Sequence, residues 1–335
     1  MSCSRTLALE LVGAGGLLCA HSLPAQQVAR YEPKAQVSGT IRVWGSPQMQ
    51  DLLVLYEKGF IKLQPEVQFS NELKSTLVAV PGVYTGRAEI GLLGREIWPT
   101  ETQAFRAVLS RQPKVIDIAT GSYDVPKATY ALMIFVHSSN PVRSLSRAQL
   151  ERIFGSSDHR VRNWGELGVG GPWARRPIHI YGFGTDNDKS QIFSQLVFAQ
   201  EEEWSDSLRQ FRNGAGPDAD AGAQIVQAVA NDPDAIGISN VHYATPAVRA
   251  LSLTTPDHPV PIAPSRENVA SRAYPLTRSV YMVFDPEALR KTPAVSEFLR
   301  YVLSEQGSEA VANEGEYLPL PPEVAARELH DLNGD

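Results

Sequence analysis

Polar and apolar positions alternate in GTIRVWG (Gly39–Gly45), which predicts a half-buried strand. The period then lengthens. MQDLLVLYEKGFIKL carries its apolar residues at helical spacing behind Ser46-Pro47, a helix start with proline at the first helical position. VQFS predicts a second strand, Ser75 to Val83 a short helix, and AEIGLL a third strand. KVIDIATG and ATYALMIFVH read as further buried strands. In SNPVRSLSRAQLERIFG, Ser146 and Gln149 form a capping box that puts Leu150 and Ile153 on the buried face. RPIHIYG predicts a strand, followed by a helix that opens at Asp188 and runs through QIFSQLVF. AQIVQAVAND is then helical, AIGISN and SVYMVF are strands, and VSEFLRYVLSEQGSEAVAN is a pair of amphipathic helices. Such alternation predicts an α/β protein with much parallel pairing.

The first residues break this pattern. Arg5 precedes an apolar stretch from Leu7 to Ala20, interrupted by Glu10 and followed by a turn-like SLPA. That order predicts a signal peptide over residues 1–25, with residues 26–38 as a polar linker. Cys3 and Cys19 both fall inside the leader, so the exported chain would carry neither a disulfide nor a thiolate metal site. Its expected compartment is the periplasm.

Composition changes the picture only slightly. A chain of 335 residues that is 43% hydrophobic has enough material for roughly two domains. With 37 acidic and 31 basic residues the net charge is −6, which gives no support to nucleic-acid binding and means that an anionic ligand needs a local site. No G-x-S-x-G elbow is present; GFGTDN has Asn187 where a dinucleotide loop needs its third glycine; and the histidines show no i, i+4 zinc spacing. Neither a catalytic group, a metal nor a cofactor is expected.

The order of the segments resembles the periplasmic phosphate-binding proteins of ABC transporters, the PstS-like family. The likeness is carried by SNPVRSLSRAQLERIFGSSDHRVRNWGEL, RPIHIYG with its helix, AIGISNVHYA, AYPLTRSVYMVF and FLRYVLSEQGSEAVANEGEYLPLP, and spans about Gly39 to Pro321. The resemblance implies the type II periplasmic-binding-protein fold: two α/β lobes, each a mixed sheet flanked by helices, joined by two crossing strands near Tyr123–Ala128 and Arg272–Leu276. Residues 39–122 and 275–335 would build one discontinuous lobe and residues 123–274 the other.

The family holds its anion with four loops, and each has a counterpart here. In WGSPQM, Ser46 is expected to cap its own helix, to face the ligand, or to do both, since the backbone N–H groups of Gln48 and Met49 remain available. In LKSTL, Ser75 and Thr76 match the family's glycine-serine pair. In EIGLLGRE, Gly94 replaces the family's serine or aspartate, and Arg95 either supplies charge or pairs with a nearby acid. The fourth loop departs most. The family's arginine has become Phe183, and its serine-glycine-threonine has become Asn187, Asp188 and Lys189. Asp188 with Gln191 reads as a capping box, and Lys189 as the replacement for the lost charge. The resemblance implies a monomeric carrier of phosphate or a related inorganic oxyanion, delivering it to an inner-membrane ABC permease. The alternative is a degenerate binding module acting in envelope sensing or protein interaction.

Overall fold

The computed structural model describes residues 28–198, 203–215 and 219–334, so the leader expected at 1–25 lies outside the described residues. In chain order the first unit contains β1 (Gly39–Gly45), α1 (Gln50–Ile61), β2 (Val67–Glu72), α2 (Ala79–Tyr84), β3 (Ile90–Leu93), α3 (Pro99–Leu109) and β4 (Lys114–Thr120). The second contains β5 (Met133–His137), β6 (Ser144–Ser146), α4 (Arg147–Phe154), β7 (His179–Phe183), α5 (Asp188–Val197), β8 (Arg209–Phe211), α6 (Ala221–Ala230), β9 (Ala235–Ser239), β10 (Val248–Ala250), β11 (Ser252–Thr254) and α7 (Arg266–Ala270). The chain then returns to the first unit with β12 (Ser279–Phe284), α8 (Ala288–Lys291), α9 (Pro293–Val302), α10 (Glu305–Glu314) and α11 (Pro322–Asn333).

Two mixed sheets result. One has the order β2-β1-β3-β12-β4, the other β10-β5-β9-β7-β8. In the first, β1 pairs in parallel with β2 and β3, while β12 runs antiparallel to both β3 and β4. In the second, β7 pairs in parallel with β8 and β9, and β5 runs antiparallel to β9 and β10. Both faces of each sheet are covered, which is why β3, β9 and most of β5 are buried without alternation. Each sheet has its own core. Phe60, Phe298 and Tyr301 pack edge-on or tilted behind the first, with centroids 5.3 and 5.6 Å from Phe60; Phe154, Phe193, Phe198 and Trp204 cluster behind the second.

The chain passes between the sheets from Thr120 to Met133 and comes back ahead of Ser279. The two passages are stitched by Gly121 N–H donating to Arg278 O (2.8 Å) and Leu132 N–H donating to Leu276 O (3.0 Å). Arg272, on the return passage, holds a left-handed backbone (φ 60°) and ion-pairs with Asp117 of β4.

The segment expected to be a linker is irregular but anchored. Tyr31 is buried, its hydroxyl donates to Glu297 Oε2 (2.7 Å) and its N–H to Gln306 Oε1 (2.8 Å), while Gln64 accepts from Val37 N–H (3.0 Å). Polar composition concealed a single aromatic anchor reaching α9 and α10.

Gly45 closes β1 at φ 150°, and a Cβ there would fall inside the backbone of Leu92 on β3. Gly45→Ala is therefore expected to force β1 and β3 apart at the point where the cleft begins. A loss of about 1–3 kcal/mol should be measurable by urea denaturation.

Candidate functional site

The loops that follow β1, β3 and β7 converge on the space between the two sheets, the position where α/β folds place ligands. Ser46 N–H donates to Leu92 O (3.1 Å), and Met49 N–H closes a 3-10 turn on Ser46 O (3.3 Å). That turn uses the Met49 N–H that the sequence left available, and the Met49 side chain goes to the core. The Ser46 hydroxyl does not cap the turn. It is buried and has no hydrogen-bond partner, so the capping role expected of it gives way to an open donor and acceptor. Gly94 faces it: a Cβ there would lie 3.0 Å from Ser46 Oγ, 3.4 Å from Thr129 Oγ1 and 3.5 Å from Gln48 Oε1. Gly94 therefore leaves room among three polar side chains, and its carbonyl accepts from the Thr129 hydroxyl.

Ser75 sits beside this group, because its N–H donates to Gly45 O (3.1 Å). Its hydroxyl caps the next turn by accepting from Leu77 N–H (3.2 Å), and Thr76 is half-buried at the start of that turn.

Arg95 does not serve the cleft. Its guanidinium donates to both carboxylate oxygens of Glu101 (2.9 and 2.7 Å) and to Glu96 O (2.8 Å), and lies 3.7 Å from the centre of the Trp98 ring. The anion-donor reading of Arg95 is corrected accordingly. Two acids follow it closely, and the one at the start of α3 captured it.

The fourth loop also differs from expectation. Asn187, not Asp188, caps α5: it is extended and its Oδ1 accepts from Lys189 N–H (3.0 Å). Asp188 is the first helical residue, and Gln191 turns away to donate to Thr185 O (2.9 Å), so there is no Asp188–Gln191 box. The Asp188 carboxylate instead accepts from Lys189 Nζ (3.2 Å) through Oδ1 and from Arg278 Nη1 (3.1 Å) through Oδ2. Arg278 Nη2 donates to Glu96 Oε2 at 3.1 Å. The result is a chain of charges, Glu96–Arg278–Asp188–Lys189, running from the β3 loop to α5 and hence from one lobe to the other. Lys189 Nζ also lies 5.3 Å from the Tyr130 ring and 5.6 Å from the Phe183 ring.

Burial alone would raise the pKa of Asp188, but Lys189 and Arg278 outweigh it and hold the carboxyl below its usual range. For Arg278 burial disfavours the charge, and Glu96 with Asp188 more than restores it. Desolvation pushes the Tyr130 phenol well up, so it stays protonated.

Arg278, Glu96, Thr129 and Tyr130 were missed by sequence reasoning. One signal for Arg278 was present: an arginine opening SVYMVF, a strand without another charge. Its partners lie 90 and 182 residues away, beyond any local pattern. A separate cluster brings His179, Asp232 and Asp234 together at the edge of β7. His179 Nδ1 lies 2.7 Å from Asp232 Oδ2, which also accepts from the Tyr181 hydroxyl, and Asp234 is paired with Arg176 (2.5 Å). Both carboxylates are already partnered.

Two lobes with mixed sheets and a group of buried polar side chains gathered between them define a binding-protein architecture. A family model of the PBP superfamily domain matches residues 31–306, and the chain belongs to that family. It is similar to the phosphate-binding protein PstS of Pseudomonas aeruginosa, at 28% identity over 341 residues, covering 99% of each protein. Among solved structures it resembles PstS from Borrelia burgdorferi (14% identity, TM-score 0.58, covering 84% of this chain and 99% of that one). It also resembles an ABC-type phosphate transport receptor from Vibrio cholerae (17% identity, TM-score 0.53, covering 83% and 99%). At these identities the structural likeness speaks for the fold. No helix among the described residues is long and apolar enough to cross a membrane.

Proposed function

We propose that the protein captures phosphate or a related inorganic oxyanion in the cleft and presents it to an ABC permease after export. The relatives named above support the class of ligand. The observation that carries the reading is the open, buried Ser46 hydroxyl in a cleft that also holds two cations, Arg278 and Lys189, beside the N-terminus of α5. Ser46, Gln48 and Thr129 would serve as neutral hydrogen-bonding groups, Asn187, Asp188 and Lys189 as the α5 start, and Ser75 and Thr76 as the rim beside Gly45. Nothing in this set suits bond-breaking chemistry, so the role is binding and release by lobe movement.

One observation favours the second reading, a degenerate module without phosphate transport: the Asp188 carboxylate already engages both cations. Titration calorimetry of the protein without its leader, against phosphate, arsenate and sulfate, separates the two. A saturable heat with phosphate supports capture. Silence at millimolar phosphate rejects it in favour of the second reading. Lys189→Ala should weaken phosphate binding about tenfold, the equivalent of one charge-assisted hydrogen bond. It should leave stability nearly unchanged, because a cation in the first turn opposes the helix dipole.

A further inference from the structure

The cleft contains an anion of its own. Asp188 offers a carboxylate to Arg278 and Lys189, the two cations an incoming oxyanion would use, at 3.1 and 3.2 Å. A carboxylate and an inorganic oxyanion recruit donors in the same way, through negatively charged acceptor oxygens. The Arg278 side chain is 1% exposed and pinned between Glu96 and Asp188, so it cannot swing out to meet a ligand elsewhere. Two carboxylates face two cations along this chain, which leaves no net positive charge for a second anion. Yet polar groups on the walls remain unsatisfied: Ser46 Oγ and Arg278 Nε are both buried without a partner. The recognition set is thus half filled from within the protein.

We infer that Asp188 is an internal stand-in for the ligand: it holds Arg278 and Lys189 when the cleft is empty, ties α5 to the opposite lobe, and must be displaced for an oxyanion to bind. Asp188 is then the residue that sets affinity and selectivity. Only an anion that engages Arg278, Lys189 and Ser46 together replaces it, and weakly coordinating monovalent anions do not. This inference rests on the oxyanion reading for the ligand, but its test distinguishes the two.

The experiment is calorimetric titration of inorganic phosphate into the native protein, Asp188→Asn and Asp186→Asn, each first checked for a cooperative melt. Asp188→Asn keeps the shape and removes the competing charge, so phosphate affinity should rise about tenfold or more. Asp186→Asn removes a charge from the same loop, but that carboxylate is 69% exposed and paired with Arg212, so affinity should change less than about twofold at physiological salt. Should the asparagine variant fail to fold, Asp188→Ser asks the same question with a residue that suits a helix start. Native protein that binds while Asp188→Asn binds no tighter overturns the inference and leaves the oxyanion reading standing. A silent native protein with an Asp188→Asn variant that binds supports the inference and rejects phosphate capture by the native chain. Silence in both overturns both. An equal gain in both variants overturns the inference, because general charge would then explain it.

Discussion

Replacing Arg278 with methionine is expected to destabilise the protein by about 3 kcal/mol in chemical denaturation. Removing one member of a buried ion pair costs about 3–5 kcal/mol, because the partner stays buried without its counter-charge. The low end applies here. Asp188 keeps Lys189, and the Glu96 and Asp188 side chains are 18% and 31% exposed, so water compensates in part. Among the described residues Glu96 then keeps the Tyr281 hydroxyl, at 3.5 Å. Arg278→Lys should fall between, since an ammonium cannot serve both carboxylates from one fork. The effect has a pH signature. The Asp188 carboxyl is held below its ordinary pKa in the folded protein, so its stabilising contribution is present above the unfolded value of about 4 and is lost as pH falls through the folded one. The gap between native protein and Arg278→Met should therefore narrow under acid. A gap below about 1 kcal/mol at neutral pH would reduce the bridge to an ordinary surface pair.

Glu101→Ala should be more damaging still, for a reason unconnected with the ligand. It strands the Arg95 guanidinium, whose side chain is 6% exposed, and removes the acceptor for Trp98 N–H at the start of α3 (2.9 Å). The stranded charge costs about 3–5 kcal/mol and the lost cap about 1 kcal/mol. Arg95→Met should cost less, because Glu101 retains the Trp98 amide. Phosphate affinity should stay within about twofold in Arg95→Met, since the donors of Arg95 are taken up by Glu101 and the Glu96 carbonyl. A tenfold loss of affinity would restore Arg95 to the cleft and overturn this assignment.

Most of the fold could be read from local patterns, because the strands are short, buried and separated by good helix starts. The Ser146–Gln149 box forms as read, with Gln149 N–H donating to Ser146 Oγ (3.1 Å) and Ser146 N–H to Gln149 Oε1 (2.8 Å). The site was read less well, and the failures share a cause. Asn187 and Asp188 are neighbouring short acceptors, and either suits an N-cap by its chemistry. What separates them is the pull of Arg278 on Asp188 from the other side of the molecule. Ser46 reads as a cap because serine before proline usually is one, but its backbone amide is drawn to Leu92 and its hydroxyl is left facing Gly94. Arg95 has the chemistry of an anion donor, and only the turn into α3 shows that Glu101 reaches it first. In each case residue type was informative, and a particular contact chose among its uses: one distant in the chain for Asp188 and Ser46, and one six residues on for Arg95.

The place of β12 in the first sheet governs when that sheet can be finished. β4 joins the sheet only through β12, and β12 follows the whole second unit in the sequence. At about 5–20 residues per second, some ten to thirty seconds of synthesis separate the emergence of β4 from that of its partner. During that time KVIDIAT is an apolar strand with nothing to pair with, a hazard for aggregation and a natural client for a chaperone. In the second sheet β5 likewise precedes both of its partners, β9 and β10, but the interval is shorter. A sheet whose other strands are complete by Thr120 but whose fourth position waits for Ser279–Phe284 stays open for most of the chain's synthesis.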